Sequence, residues 1–213
     1  MMRKRIVGGF MGLRVAKLAS VLAIGFLLSS CATMSPEECK AADWREVGQR
    51  DGLNGKTLSQ LQDRAEDCAK VGVAVNAQAY TLGRDQGLRS YCRLENAVPL
   101  GLAGGFYAGV CPPEIDQVFQ HRFQIARGVY DLSNDVSNLS SQIDNLERRL
   151  RDLNHSEERR LKEAGSDEQR KKVRQAIDDE RRSIRSEISE ADRRLRRKRD
   201  ELRSAEYALS NLR

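Results

Sequence analysis

The sequence predicts an all-α protein: a small disulfide-stapled helical domain followed by a long antiparallel coiled-coil hairpin. Three observations predict it. From Leu132 onwards, apolar residues recur in alternating steps of four and three, the spacing of helices that pack along a seam. Charged residues make up 32% of the chain and aromatic residues 5%, which suits long solvated helices better than a large core. Four cysteines, Cys39, Cys68, Cys92 and Cys111, cluster ahead of the heptads, an even number that suits two bridges. The expected units are a leader over 1–30, the stapled domain over 31–112 and the hairpin over 113–213.

The leader comes first. Residues 1–17 carry Arg3, Lys4, Arg5, Arg14 and Lys17 and no acid, and residues 18–28 form a short apolar run. A basic start, an apolar core and small residues before a cut make a secretory signal. The run falls short of the roughly 20 apolar residues that span a bilayer. An uncleaved N-terminal anchor is the alternative, and Met11 is an alternative start, because Arg14 and Lys17 would still supply the basic flank.

Leu28-Ser29-Ser30-Cys31 resembles the lipobox of bacterial lipoproteins. The resemblance implies cleavage before Cys31 and lipidation of that cysteine. One acyl chain holds a protein marginally at a membrane, and two or more anchor it stably. Ala32 follows Cys31, whereas Asp at that position usually retains Gram-negative lipoproteins at the inner membrane. The expectation is the periplasmic face of the outer membrane, with the inner membrane second.

Charge and cysteine counts change once the leader is set aside. Five of the 37 basic residues lie in it and none of the 31 acidic ones, so the mature chain balances 32 against 31. The net charge of +6 therefore gives little support to nucleic-acid binding, and none is expected. Committing Cys31 to lipid leaves four cysteines in an oxidising compartment. Zinc is the alternative to disulfides. The spacings are wide, however, no Cys-x-x-Cys pair occurs, and the two histidines, His121 and His155, are isolated. No metal or cofactor is expected.

Ser35-Pro36-Glu37-Glu38 reads as a capped helix start, with Pro36 at the first helical position. This first helix is expected to run to about Arg50 and stop near Gly52 and Gly55. Thr57-Leu58-Ser59-Gln60 repeats the capping pattern and starts a second helix, through Leu61, Ala65 and Cys68, ending near Gly72. Asn76 starts a third, which ends near Cys92. Cys39 near the start of the first helix and Cys68 near the end of the second meet if those helices are antiparallel. That leaves Cys92 for Cys111.

The first and third helices share a signature. Gly48-Gln-Arg-Asp-Gly52-Leu53 matches Gly83-Arg-Asp-Gln-Gly87-Leu88, and each has an aromatic just upstream, Trp44 or Tyr80. Glycines at i and i+4 clear one helix face, at about 1 kcal/mol each relative to Ala. Two readings follow: tight packing of one backbone on another, or a ligand groove formed by Trp44, Gly48, Tyr80 and Gly83. Residues 96–112 contain Pro99, Pro112, Gly101, Gly104, Gly105 and Gly109. They read as a loop or short extended segment, tied down by Cys111.

Cys31, Cys39, Asp43-Trp44, Gly48, Asp51-Gly52, Cys68, Tyr80, Gly83, Gly87-Leu88, Tyr91-Cys92, Gly101, Gly104, Tyr107, Gly109-Val110-Cys111-Pro112 and Gly128 together resemble one family. It is the uncharacterised bacterial lipoprotein family called domain of unknown function 2799. The resemblance covers residues 36–130. It implies an outer-membrane or periplasmic lipoprotein and implies no known activity.

Pro113 opens the second half as a first helical residue. The heptad positions Leu132, Val136, Leu139, Ile143, Leu146, Leu150 and Leu153 follow without error. Ala164-Gly165-Ser166-Asp167 breaks the helix, and Ser166 or Asp167 can cap the next. The same spacing returns through Val173, Ile177, Ile184, Ile188, Ala191, Leu195, Leu202 and Leu209. A turn near Gly165 and Ser166 sets Leu132 opposite residue 200. Phe119, Phe123 and Tyr130 are then expected to face the stapled domain.

The run Arg193–Arg199 reads either as a contact for anionic groups or as a solvated face paired with nearby acids. No Ser/His/Asp, Cys/His or phosphate-cradling constellation stands out, so no enzyme is expected. The expected function is a lipid-anchored envelope scaffold or adaptor that meets a protein partner through its hairpin. The alternative is a small-ligand-binding lipoprotein that uses the Gly/aromatic base.

Overall fold

The structure is a computed structural model that describes residues 34–212. The leader and Cys31 lie outside the described residues. The chain within them is helical, with no strand: α1 (Pro36–Ala41), α2 (Trp44–Leu53), α3 (Ser59–Ala69), α4 (Ala77–Tyr91), α5 (Leu94–Leu102), α6 (Pro113–Glu163) and α7 (Asp167–Ser210).

Local chemistry fixes most of these boundaries. Ser35 and Glu38 close a capping box: the Glu38 carboxylate accepts from the Ser35 N–H at 2.7 Å, and the Ser35 hydroxyl accepts from the Glu38 N–H at 3.2 Å. The helix expected to continue to Arg50 instead ends at Ala41. The Asp43 carboxylate accepts from the N–H groups of Arg45 and Glu46 at 2.8 and 3.2 Å, so it caps a new helix where the old one would have continued. Asn76 caps α4 by accepting from the Ala79 N–H at 2.9 Å. The expected Thr57 cap does not form: α3 starts at Ser59 behind Leu58, and the Thr57 hydroxyl lies 2.7 Å from that of Ser59.

The glycine-rich stretch is a second correction. Residues Leu94–Leu102 form a helix, with Pro99 inside it. Packing overrides propensity here. Ala97 is completely buried, and a Cβ at Gly101 would lie 2.6 Å from the Phe123 carbonyl oxygen, so α5 lies directly against α6. The Asn96 amide also donates to the carbonyls of Ser90 and Tyr91, at 2.8 and 3.2 Å, which satisfies the end of α4 and fixes the corner. Only the remainder, from Ala103 to Pro112, is the expected loop.

The base holds two apolar clusters. Met34, Cys39, Trp44, Cys68 and Tyr80 form one, walled by Val47, Leu61, Val71, Val73 and Val75. Leu88, Cys92, Ala97, Tyr107, Cys111, Phe119 and Phe123 form the other. The first turns of α6 thus belong to the base by packing, although the helix continues far beyond it.

Beyond Phe123, α6 pairs with α7. Leu146, Leu153, Ile177 and Ile184 are the centre of the seam. Ser166 caps α7 in a capping box with Gln169. The register is antiparallel: Lys198 reaches Asp135 at 3.2 Å and Arg149 reaches Glu180 at 3.2 Å. Leu132 accordingly lies opposite residue 200. Arg181 joins Asn154 at 2.8 Å and ion-pairs with Glu157, so polar contacts between the two helices also fix the register. At about 1.5 Å per residue, α6 is about 75 Å long.

Candidate functional sites in the base and on the hairpin

The repeated glycines bring α2 and α4 into backbone contact. A Cβ at Gly48 would lie 2.0 Å from the Tyr80 carbonyl oxygen, and one at Gly83 would lie 1.9 Å from that of Arg45. The next turn repeats this: Gly52 faces the Arg84 carbonyl at 2.1 Å and Gly87 that of Gln49 at 2.2 Å. Later residues meet later residues, so the helices run parallel. Moving 35 positions along the chain turns each contact into its counterpart, which makes the crossing two-fold symmetric in its backbone.

This geometry answers the groove question. Gly48 and Gly83 face filled space. Trp44 and Tyr80 are buried in the cluster around Cys39–Cys68. The four residues do come together, but as a packed crossing with no groove between them.

A buried polar network locks the crossing in place. Asp51 is 4% exposed and accepts from the Tyr80 hydroxyl at 2.7 Å. Arg64 of α3 grips the same carboxylate with both arms, Nε to Oδ2 at 3.0 Å and Nη2 to Oδ1 at 2.8 Å. Burial first, and then the hydrogen bond to Asp51, push the Tyr80 phenol well above its ordinary pKa. Arg84, 7% exposed, donates to the Lys56 carbonyl at 2.9 Å and holds the loop after α2. Sequence reading missed this network. Asp51, Arg64 and Arg84 look like ordinary helical charges until α3 folds back over α2 and α4.

The bridges are Cys39–Cys68, with Cα atoms 5.4 Å apart, and Cys92–Cys111, at 5.6 Å. The second ties the loop after α5 to the end of α4. Tyr107 anchors the same loop: its ring packs on Phe119 at 4.8 Å between centroids, and its hydroxyl donates to Asp116 and accepts from the Cys111 N–H at 3.2 Å. Arg127 straps the loop from the other side, donating to the carbonyls of Gly104 and Gly105 at 2.9 and 2.8 Å. Phe106, between these anchors, is 81% exposed. Phe119 and Phe123 face the base as expected, and Tyr130 lies under Gly104.

The hairpin carries a groove of about 250 Å³ between α6 and α7. Asp135, Asn138, Gln142, Arg194, Arg197, Lys198 and Glu201 line it together with Leu139. The basic run has split roles here. Arg196 pairs with Asp192 at 2.7 Å, and Lys198 with Asp135 and Glu201 at 3.2 and 3.0 Å. Hydrogen bonds to Glu201 and then Asp135 hold the Lys198 ammonium above the usual lysine range. Among the described residues, no group of His, Cys, Asp and Glu is placed to hold a metal. No helix among them is long and apolar enough to cross a membrane.

Residues 43–128 match a family model whose description is Protein of unknown function (DUF2799). The matched segment is similar to that family and coincides with α2 to α5, the loop and the docked start of α6. No curated protein and no solved structure matches the chain.

Proposed function

We propose that the chain is a lipid-anchored bacterial envelope protein, held at the periplasmic face of the outer membrane by Cys31, that meets a protein partner through its hairpin. The base serves as a rigid platform and performs no catalysis. The observation that carries this reading is the contrast between the two parts. The base spends Gly48, Gly52, Gly83 and Gly87 on backbone contact, whereas α6 and α7, helices of 51 and 44 residues, continue far beyond the base core. Met34 supports the anchor: it is 8% exposed in the base cluster, so three residues after Cys31 the chain is already pinned.

Deletion of residues 131–213 tests it. Neither base cluster draws a residue from α7, so the truncated protein should fold and keep both bridges. In-cell crosslinking from the base should then lose the partner captured by the full chain. If the truncated protein complements a deletion strain and keeps the same crosslinks, the hairpin reading fails.

A further inference from the structure

The hairpin has an uneven distribution of charge. Residues 167–190 of α7 carry seven basic and seven acidic side chains, but residues 191–203 carry seven basic and three acidic. The facing stretch of α6, residues 131–142, does not compensate. It holds seven Ser, Asn and Gln residues and two charges, Asp131 and Asp135. Asp131 is taken by Arg127 at 2.9 Å and Asp135 by Lys198.

The groove over Leu139 lies in this stretch. Arg194 and Arg197 line it with no hydrogen-bond or ion-pair partner among the described residues, and the amides of Asn138 and Gln142 are equally unspent. Two free guanidinium groups and two amides thus share one concave site with an apolar floor. Guanidinium groups match carboxylates by paired hydrogen bonds, and weak hydration lets them do so at an interface. From Asp135 to Gln142 the wall is about 10 Å long, room for a few residues of a peptide.

We infer that the groove between α6 and α7 at Asn138, Gln142, Arg194 and Arg197 docks an acidic peptide segment of a partner protein, its carboxylates on the two arginines and an apolar side chain over Leu139. This rests on the hairpin being the interaction element and names the chemistry of its contact. A concave wall with an apolar floor favours a peptide over the flat surface of a membrane.

The test uses the full mature chain and a short fluorescein-labelled peptide of glutamate and leucine. Anisotropy should show saturable binding that weakens with salt. R194Q combined with R197Q should weaken it about tenfold, the loss expected for charge-assisted contacts. R174Q combined with R185Q removes two exposed arginines from the same helix outside the groove, and should change it less than about twofold. Equal losses in the two double variants, or no saturable binding, would overturn the inference. So would phosphatidylglycerol vesicles that bind through Arg194 and Arg197 while the peptide stays free. If the peptide fails but hairpin deletion still removes the partner, the hairpin reading stands and only this site falls.

Discussion

Asp51 on α2 and Tyr80 on α4 meet at 2.7 Å across the glycine crossing, with Arg64 closing the third side. The pair makes the two parallel helices a single buried unit. Tyr80→Phe removes one hydrogen bond to a charged acceptor and should cost about 1.5–3 kcal/mol of stability. Asp51→Ala withdraws the carboxylate from a buried ion pair as well, and should cost about 3–5 kcal/mol. Chemical denaturation followed by circular dichroism measures both. Equal, small losses would show that the network contributes little.

The same contact predicts alkaline sensitivity. Burial raises the phenols of Tyr80, Tyr91 and Tyr107 above their ordinary value near 10. The unfolded chain therefore releases these protons at lower pH than the folded one. Stability should be full below about pH 10 and fall as pH rises beyond it. An ultraviolet titration should show these three tyrosines ionising late. Tyr80→Phe should flatten the decline in stability.

The glycines give a paired prediction with opposite signs. An alanine at Gly48 or Gly83 would put its Cβ about 2 Å from a carbonyl oxygen of the other helix, and backbone cannot rotate away. Gly48→Ala should destabilise by about 3 kcal/mol, the upper range for overpacking, despite its better helix propensity. Gly128 lies inside α6 with nothing within 4 Å of an added Cβ. Gly128→Ala should instead stabilise by about 1 kcal/mol. Urea midpoints of the variants decide it.

The bridges close intervals of 29 and 19 residues. Loss of either, by Cys68→Ala with Cys39→Ala or by Cys92→Ala with Cys111→Ala, should cost about 3–4 kcal/mol. Peptide mapping without reductant should recover the Cys39–Cys68 and Cys92–Cys111 peptides. A Cys39–Cys92 peptide would contradict this connectivity.

Cys31→Ser should block lipidation and normal leader removal. Mass spectrometry of the mature wild-type chain should find Cys31 with attached lipid. A free Cys31 thiol there would remove the anchor from the proposed function.

Regular repetition made much of this architecture legible. The heptads from Leu132 and the break at Gly165 give the hairpin and its register, because each apolar position repeats one local rule. The glycine signature likewise marks the face where α2 and α4 meet. What was hidden depends on competition or on distance. Asp43 lies within a stretch that reads as continuous helix, and only its carboxylate on two N–H groups starts a new one. Leu94–Leu102 is helical because Gly101 lets it lie against Phe123, a contact no local propensity contains. Asp51, Arg64 and Tyr80 come from three helices, so their partnership has no spacing to read. The hairpin groove is similar: Asn138 and Arg197 are far apart in sequence and become neighbours only through the register.

The antiparallel register also sets where labels report. Asp135 pairs with Lys198, so Leu212 returns to the level of His121, beside the base. Gly165 is the far point, some 40 residues of helix beyond Ile125, or about 60 Å. A fluorophore fused after the last residue would sense surroundings close to the base. One inserted at Gly165 would sense whatever lies at the far side of the space that the hairpin crosses. The difference between the two signals would measure how the surroundings change along the length of the hairpin.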